Sequence, residues 1–399
     1  MRVYNHRLLF LISFLVASQY TSEVEASKAR LEALSLDKDG SYFLQDRRNV
    51  FLNPAELTLG VPYISFEWGN SQSAANVDDL DASESPKPEG ALVMDIGGGG
   101  RFGLFLGYES DEMVNIRQYG FAFAGANDRF LNPDNVLALA YGNQSKSLSW
   151  GAMVLYSSNK QDTNEIDGDT SDFSADENLL VLKGGFIHNR KSKASLSLIM
   201  QNEAEGSLAN GTNSVEGAKF SGDTSLVLGG SHKLNKDMTI YAEVVELKGD
   251  FEPAADTDGV EIKYATRGIG FSHIFYRRKG EQSLTDVFYR AELGTGELKY
   301  SEDGKRTFQG IELGIGLERK FGWYTIRGAA DQFVLVNEFK DDNGTIEVER
   351  PQSNSAGVSA GLGMDLDGIQ LDGTIRSTST ARLNASDFLA RVSISYNLD

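Results

Sequence analysis

The chain has 399 residues, with 42 glycines, only 7 prolines and no cysteine, which excludes a disulfide scaffold, a thiolate metal site and a thiol nucleophile together. Its 38 Lys+Arg stand against 57 Asp+Glu, a net charge of −19, and so acidic a chain is a poor nucleic-acid binder, because displacing counterions from phosphate needs a cationic surface. A mean hydropathy of −0.31 argues against a helical membrane protein, but not against a membrane barrel, whose lipid-facing residues alternate with polar ones.

Arg2, His6 and Arg7 precede the apolar run Leu8–Ala17. This order of charged then apolar residues predicts a secretory signal, and the run is too short to cross a bilayer as a helix. Small residues offer cleavage sites at Val16-Ala17-Ser18 and Val24-Glu25-Ala26, and the expected cut follows Ala26. Residues 1–26 hold two bases (Arg2, Arg7) and two acids (Glu23, Glu25), so 36 bases against 55 acids keep the exported chain at −19.

Residues 28–36 (KARLEALSL) can make two helical turns with Leu31 and Leu34 on one side. Beyond them the dominant period is two: Tyr63–Trp68, Tyr119–Phe123 and Leu148–Tyr156 alternate, as do 194–201, 238–245, 308–317, 356–364 and 388–398. Strands of about 9–11 residues are what a tilted strand needs to cross hydrocarbon. Seventeen runs can be marked, near 61–69, 90–97, 101–109, 117–126, 134–142, 147–157, 178–189, 192–203, 220–232, 237–248, 260–276, 283–295, 306–318, 322–336, 355–365, 368–377 and 387–398. An even number is required of a bacterial barrel. Reading Gly97-Gly98-Gly99-Gly100 as a kink inside one long strand gives sixteen, and leaving the first run out of the wall allows fourteen as an alternative.

Long polar connections are expected near 70–89, 157–177, 203–220, 249–259, 296–306, 337–354 and 377–386, and short ones at 189–193, 232–236, 277–280 and 319–320. Such regular alternation predicts an all-β, transmembrane antiparallel β-barrel of about 16 strands with one outer and one periplasmic rim. The long loops are acidic, as at Asp162, Asp167, Asp169, Asp172, Asp176 and Glu177, whereas the short turns hold Arg190, Lys191, Lys193, Lys233 and Lys236. Trp150 and Trp323 fall near the short-turn rim and Trp68 near the other, the placement of an interfacial aromatic girdle, where the indole ring is apolar and its N–H stays wet.

Chemical motifs are sparse. Gly98-x-Gly100-x-x-Gly103 fits a dinucleotide fingerprint in letters only, because an alternating strand follows where a helix should hold the pyrophosphate. His188, His232 and His273 lie at no metal-ligand spacing from one another, and Asp78-Asp79-x-Asp81 and Asp167-Gly168-Asp169 lack the terminal glutamate of an ordered calcium loop. No catalytic residue, metal site or cofactor is therefore assigned. A membrane-embedded protease or phospholipase remains an alternative, since catalytic partners can meet in space from distant positions.

One segment carries a family resemblance. Asp46 to Leu57 reads DRRNVFLNPAEL, and "FLNPAELTL…ISFEWG" leads into the first wall strand. This resembles the long-chain fatty-acid transporter-like barrels, and among them the major outer-membrane proteins of predatory Bdellovibrio-type bacteria. The resemblance implies that residues 27–60 fold into the barrel of residues 61–399 as a plug or hatch around Asn53, Pro54, Ala55 and Leu57. It implies a non-enzymatic, porin-like or lipid-associated structural component of the Gram-negative outer membrane, with fatty-acid or hydrophobic-compound transport as the alternative. Implied partners are membrane lipid, lipopolysaccharide, the barrel assembly machinery and further copies in a ring-shaped homo-oligomer that can enclose lipid. Small residues usually follow N-P-A in the family, whereas Glu56 stands here, and the usual terminal aromatic is replaced by Tyr396-Asn397-Leu398-Asp399, which assigns the insertion signal to Tyr396 and Leu398.

Overall fold

The computed structural model describes residues 27–69, 88–108, 116–117, 135–163, 171–210, 213–214, 218–252, 259–279, 283–299, 304–341, 354–378 and 391–398. The expected signal segment 1–26 lies outside them.

The wall begins with β1 (Tyr63–Gly69), β2 (Glu89–Gly97), β3 (Gly100–Tyr108), β4 (Val136–Gln144), β5 (Leu148–Thr163), β6 (Ser171–His188) and β7 (Ser192–Asn210). It continues with β8, in two segments Ala218–Gly222 and Ser225–Lys233, then β9 (Met238–Glu252), β10 (Val260–Lys279), β11 (Ser283–Lys299) and β12 (Lys305–Phe321). The last four are β13 (Tyr324–Asp341), β14 (Asn354–Leu366), β15 (Ile369–Thr378) and β16 (Arg391–Asn397). Both segments of β8 pair β7 on one side and β9 on the other, so they count as one strand; a two-residue ladder, Asn213–Ser214, is appended to the end of β7. Every strand is antiparallel to its neighbours in sequence, and β1 closes on β16 from Tyr63↔Asn397 to Gly69↔Arg391. The result is a closed sixteen-stranded antiparallel barrel.

The count of sixteen arises differently from the sequence expectation. Gly97–Gly99 have φ of +85°, +62° and +78°, and β2 and β3 pair from Gly90↔Leu106 to Gly97↔Gly100. The glycines therefore make a tight hairpin and not a kink, since three consecutive left-handed residues reverse a chain that a bulge would only bend. The compensating correction is the run 117–126. β3 pairs β4 directly, Leu106↔Leu137, so that run is not a wall strand; Ile116 and Arg117 form a helical turn and are buried, and 118–126 lie outside the described residues. Two further reversals use αL residues: Asp367-Gly368 (φ +54°, +91°) join Leu366 to Ile369 with the geometry that matches strand twist in a two-residue hairpin, and Asn189-Arg190 (φ +52°, +55°) lie in a three-residue loop between His188 and Ser192.

Side-chain alternation shows which face meets which solvent. On β16 Arg391, Ser393, Ser395 and Asn397 are buried toward the lumen, while Val392, Ile394 and Tyr396 are exposed on the outside. On β12 the outward residues include Leu313, Ile315 and Leu317, and the same apolar outward face recurs from Ile64 and Phe66 on β1 to Val358 and Leu362 on β14. An uninterrupted belt of exposed apolar side chains around a closed barrel is the surface a bilayer covers.

The longer strands then leave that belt, and the pattern inverts. On β9 the outward series Ile240, Ala242, Val244 gives way to Glu246, Lys248, Asp250 and Glu252, while the inward series changes from Thr239, Tyr241, Glu243 to Val245, Leu247 and Phe251. β10 repeats it in the other direction, with Glu261 and Lys263 outside and Ile262 buried inside. Above the belt the wall is wet outside and apolar inside, as in a soluble protein. The charged outer face explains why 157–177, 203–220 and 249–259 read as loops, although β5 runs on to Thr163, β6 starts at Ser171, β7 reaches Asn210 and β9 reaches Glu252.

Candidate functional site

The lumen is occupied by the chain's own N-terminal segment. α1 (Lys28–Ala33) is capped by the Ser27 side chain, which accepts from the Arg30 N–H. α2 (Asn49–Leu52) leads to Asn53, whose side chain accepts from the Ala55 N–H and starts a 3-10 turn, Pro54–Thr58. Proline suits that first position because its missing N–H would have no partner there. Asn53, Pro54, Ala55 and Leu57 are all buried.

Glycines in the wall make room for this backbone. A Cβ on Gly151 would overlap the carbonyl of Pro54, and one on Gly185 would overlap the Asn53 amide; one on Gly142 would stand 2.9 Å from Thr58 Cγ2, and one on Gly361 2.5 Å from Ala33 Cβ. At these inward positions on β4, β5, β6 and β14 the plug approaches the wall too closely for a side chain, with its main chain at Gly151 and with side chains at the other three. Asn53 Nδ2 then donates to the carbonyls of Phe186 and Ala194, both at 3.2 Å. We predict that Gly151→Val displaces the 3-10 turn while leaving the barrel closed. Limited proteolysis should show faster cutting within 27–60, with heat-resistant migration unchanged; equal protection of variant and wild type would count against the contact.

Charge pairing fixes the rest of the plug. Arg30 donates to both carboxylate oxygens of Glu318 on β12, at 2.9 and 3.0 Å, and to Asp46 at 2.8 Å within the plug. Arg327 on β13 bonds Glu318 and also Asp372 on β15, each at 2.6 Å, and Ser27 donates to Asp372 at 3.1 Å. Farther along the same arc of wall, Lys28 pairs with Glu89 on β2, its backbone N–H donates to Glu67 on β1 at 3.0 Å, and Arg48 reaches Glu89 at 2.8 Å. Arg391 on β16 meets Glu32 at 3.2 Å. Glu56, the departure from the family's small residue, is buried and pairs with Lys193 on β7 at 2.5 Å. Lys193 therefore turns inward, away from the basic rim expected of it. Nothing local in the sequence marks Glu318, Arg327 or Asp372 as plug partners; only strand alternation places them on the inward face.

Between the plug and strands β6–β13 lies a cavity of about 370 Å³. Asp37, Asp39, Tyr42 and Phe43 face it from the plug, and Lys183, Tyr241, Glu243, Arg290, Glu292, Glu312 and Asp331 from the wall. Tyr42 donates to Glu243 at 2.6 Å and stacks on Tyr241 at 5.6 Å between centroids. Protein crowding and then the neighbouring Asp39 push the Asp37 carboxyl up to about 7, although its side chain keeps surface open toward the lumen. Toward the outer end, Arg117 is buried and donates to Asn202 at 2.7 Å and Glu177 at 3.2 Å. Glu177, expected in a solvated loop, is thus an inward wall residue of β6. It also accepts from Ser157 and Asn159.

Trp68, Trp150 and Trp323 are 51%, 40% and 57% exposed, Trp150 and Trp323 toward the short-turn rim and Trp68 at the other end of β1. Tyr396 is exposed on the outward face of β16, and Leu398 N–H donates to the Pro62 carbonyl at 2.9 Å. His188 and His232 lie beside short turns, and His273 packs edge-on against Tyr289. Among the described residues no three His, Asp or Glu side chains converge as a metal site.

The chain is thus a closed sixteen-stranded antiparallel barrel with an outward apolar belt and its N-terminal segment packed against the inner wall. No family model and no curated protein matches it. Solved structures similar to it include a Pseudomonas aeruginosa FadL homologue, with TM-score 0.43 and 12% identity over 94% of this chain and 98% of that one. The Pseudomonas putida toluene transporter TodX gives 0.36 and 13% over 94% and 97%, and CdiB from Acinetobacter baumannii 0.43 and 11% over 84% and 60%. This chain spans 60% of the CdiB chain. At such scores the fold rests on this chain's own strand register.

Proposed function

We propose that this protein is a non-enzymatic barrel of the Gram-negative outer membrane whose lumen is closed at rest, admitting small solutes only when the N-terminal plug shifts. The observation that carries this reading is the set of ion pairs joining Lys28, Arg30, Glu32 and Arg48 to the arc of wall from β12 through β16 to β1 and β2, with Glu56 paired to Lys193 on β7. A general porin needs an open polar lumen, whereas here a charged helix and a 3-10 turn cross it. Tyr396 and Leu398 serve as the signal read by the assembly machinery, and lipid, lipopolysaccharide and further copies of the chain are its partners.

A second reading, passage of hydrophobic compounds, draws on the apolar inner face above the belt, where Phe220, Leu247, Phe251, Ile262 and Leu298 are buried inside the wall. Planar-bilayer recordings test the closed state. Wild type should conduct little, and removal of 27–60 should open steady channels; a wild type that conducts steadily would overturn it. Native mass spectrometry of the same sample tests the second reading through retained acyl chains.

A further inference from the structure

The cavity between plug and wall has a ligand chemistry of its own. Its volume of about 370 Å³ lies in the range of small-molecule sites, roughly 300–1,000 Å³. Six carboxyl groups line it (Asp37, Asp39, Glu243, Glu292, Glu312, Asp331) against two cationic side chains, Lys183 and Arg290, so acidic groups outnumber basic ones. Both cations are already engaged. Lys183 Nζ donates to the Phe51 carbonyl at 2.8 Å, and Arg290 donates to the Ser35 carbonyl at 3.0 Å and to Glu312. The Oδ1 atom of Asp331 is buried and accepts no hydrogen bond. Tyr42, Tyr241 and Phe43 form one aromatic wall, with centroid separations of 5.6 and 6.2 Å.

We propose that this cavity binds a small organic cation, an ammonium carried on an apolar body, held between the plug and the wall. An anion would meet a carboxylate-rich wall whose two cations are already engaged. A bare metal ion would need several ligands at one point, and among the described residues no three carboxylates converge in that way. Carboxylates spread over opposite walls suit a larger, weakly hydrated cation, and the aromatic faces attract it through their quadrupoles while covering its apolar part. Because Asp37, Asp39, Tyr42 and Phe43 come from the plug and the rest from the wall, the bound cation ties the two together. The proposal rests on the plugged-lumen reading.

Titration calorimetry on the full detergent-solubilised protein tests it, with benzylamine as the probe and benzyl alcohol, benzoate and magnesium chloride as comparisons. One saturable benzylamine site is expected, with each comparison at least about tenfold weaker, a difference of ~1.4 kcal/mol. Glu243→Gln with Asp331→Asn should weaken benzylamine by a further tenfold or more, about one decade of affinity, while heat-resistant migration stays unchanged. No saturable binding, equal binding of benzyl alcohol, tighter binding of magnesium, or an unaffected double variant each overturns the proposal. The bilayer recordings separate the two readings: benzylamine bound to a steadily conducting wild type sinks the closed lumen alone, and a closed wild type that binds nothing sinks this site alone.

Discussion

Arg30→Ala should unseat the plug while the barrel stays closed. Arg30 meets Glu318, Asp46 and the Gln45 carbonyl in a region closed to solvent. Losing one partner of a buried charge set costs ~3–5 kcal/mol, because the remaining charges keep their desolvation cost without the attraction. Glu318 would retain Arg327, but Asp46 would keep only weaker help from the Arg48 N–H and the Arg48 charge. Burial already pushes the Asp46 carboxyl upward, and Arg30 is the strongest charge holding it down. A carboxyl with a folded pKa above its unfolded value binds its proton more tightly in the seated plug, so seating weakens as pH rises through the window between the two. The variant should therefore show more openings in a planar bilayer than wild type, more at pH 8 than at pH 5, and faster proteolysis within 27–60. Wild-type conductance and protection at both pH values would show that the ion pairs do not hold the plug.

Leu313→Arg should destabilise the whole barrel and leave the plug contacts untouched. Leu313 is outward and 46% exposed, flanked on its face by Ile315 and Leu317. A guanidinium in the hydrocarbon of a barrel wall costs ~2–4 kcal/mol near the midplane. Glu252→Arg, on the outward face of the same wall but beyond the belt on β9, should stay within about ±0.5 kcal/mol, as an exposed substitution does. Guanidinium unfolding of barrels refolded into phospholipid vesicles measures both. Equal losses at the two positions would mean that the belt is not where the bilayer sits.

Legibility followed the physics of each region. Inside the belt, where lipid demands an apolar outward face, period-two alternation marked β12, β14, β15 and β16 within a few residues. Beyond it both faces changed solvent, and the same alternation with charges outward looked like polar loop, so the ends of β5, β6, β7 and β9 were missed. The hairpin at Gly97–Gly100 was visible as glycine but not as a reversal, because a hairpin and a bulge use the same residue and differ only in which strands pair.

By itself the sequence determined the all-β class and the outward apolar belt, because alternation, turn residues and composition are local properties of the chain; it marked seventeen runs, and the plug around Asn53-Pro54-Ala55 was implied by the family resemblance alone. Tertiary structure alone decided which inward residues meet the plug. Arg30 and Glu318 are 288 positions apart, as Ser27 and Asp372 are 345 apart, and only closure of the barrel around its N-terminal segment makes such residues neighbours. Those pairings hold the N-terminal segment against the inner wall, since a buried charge is stable only beside its partner.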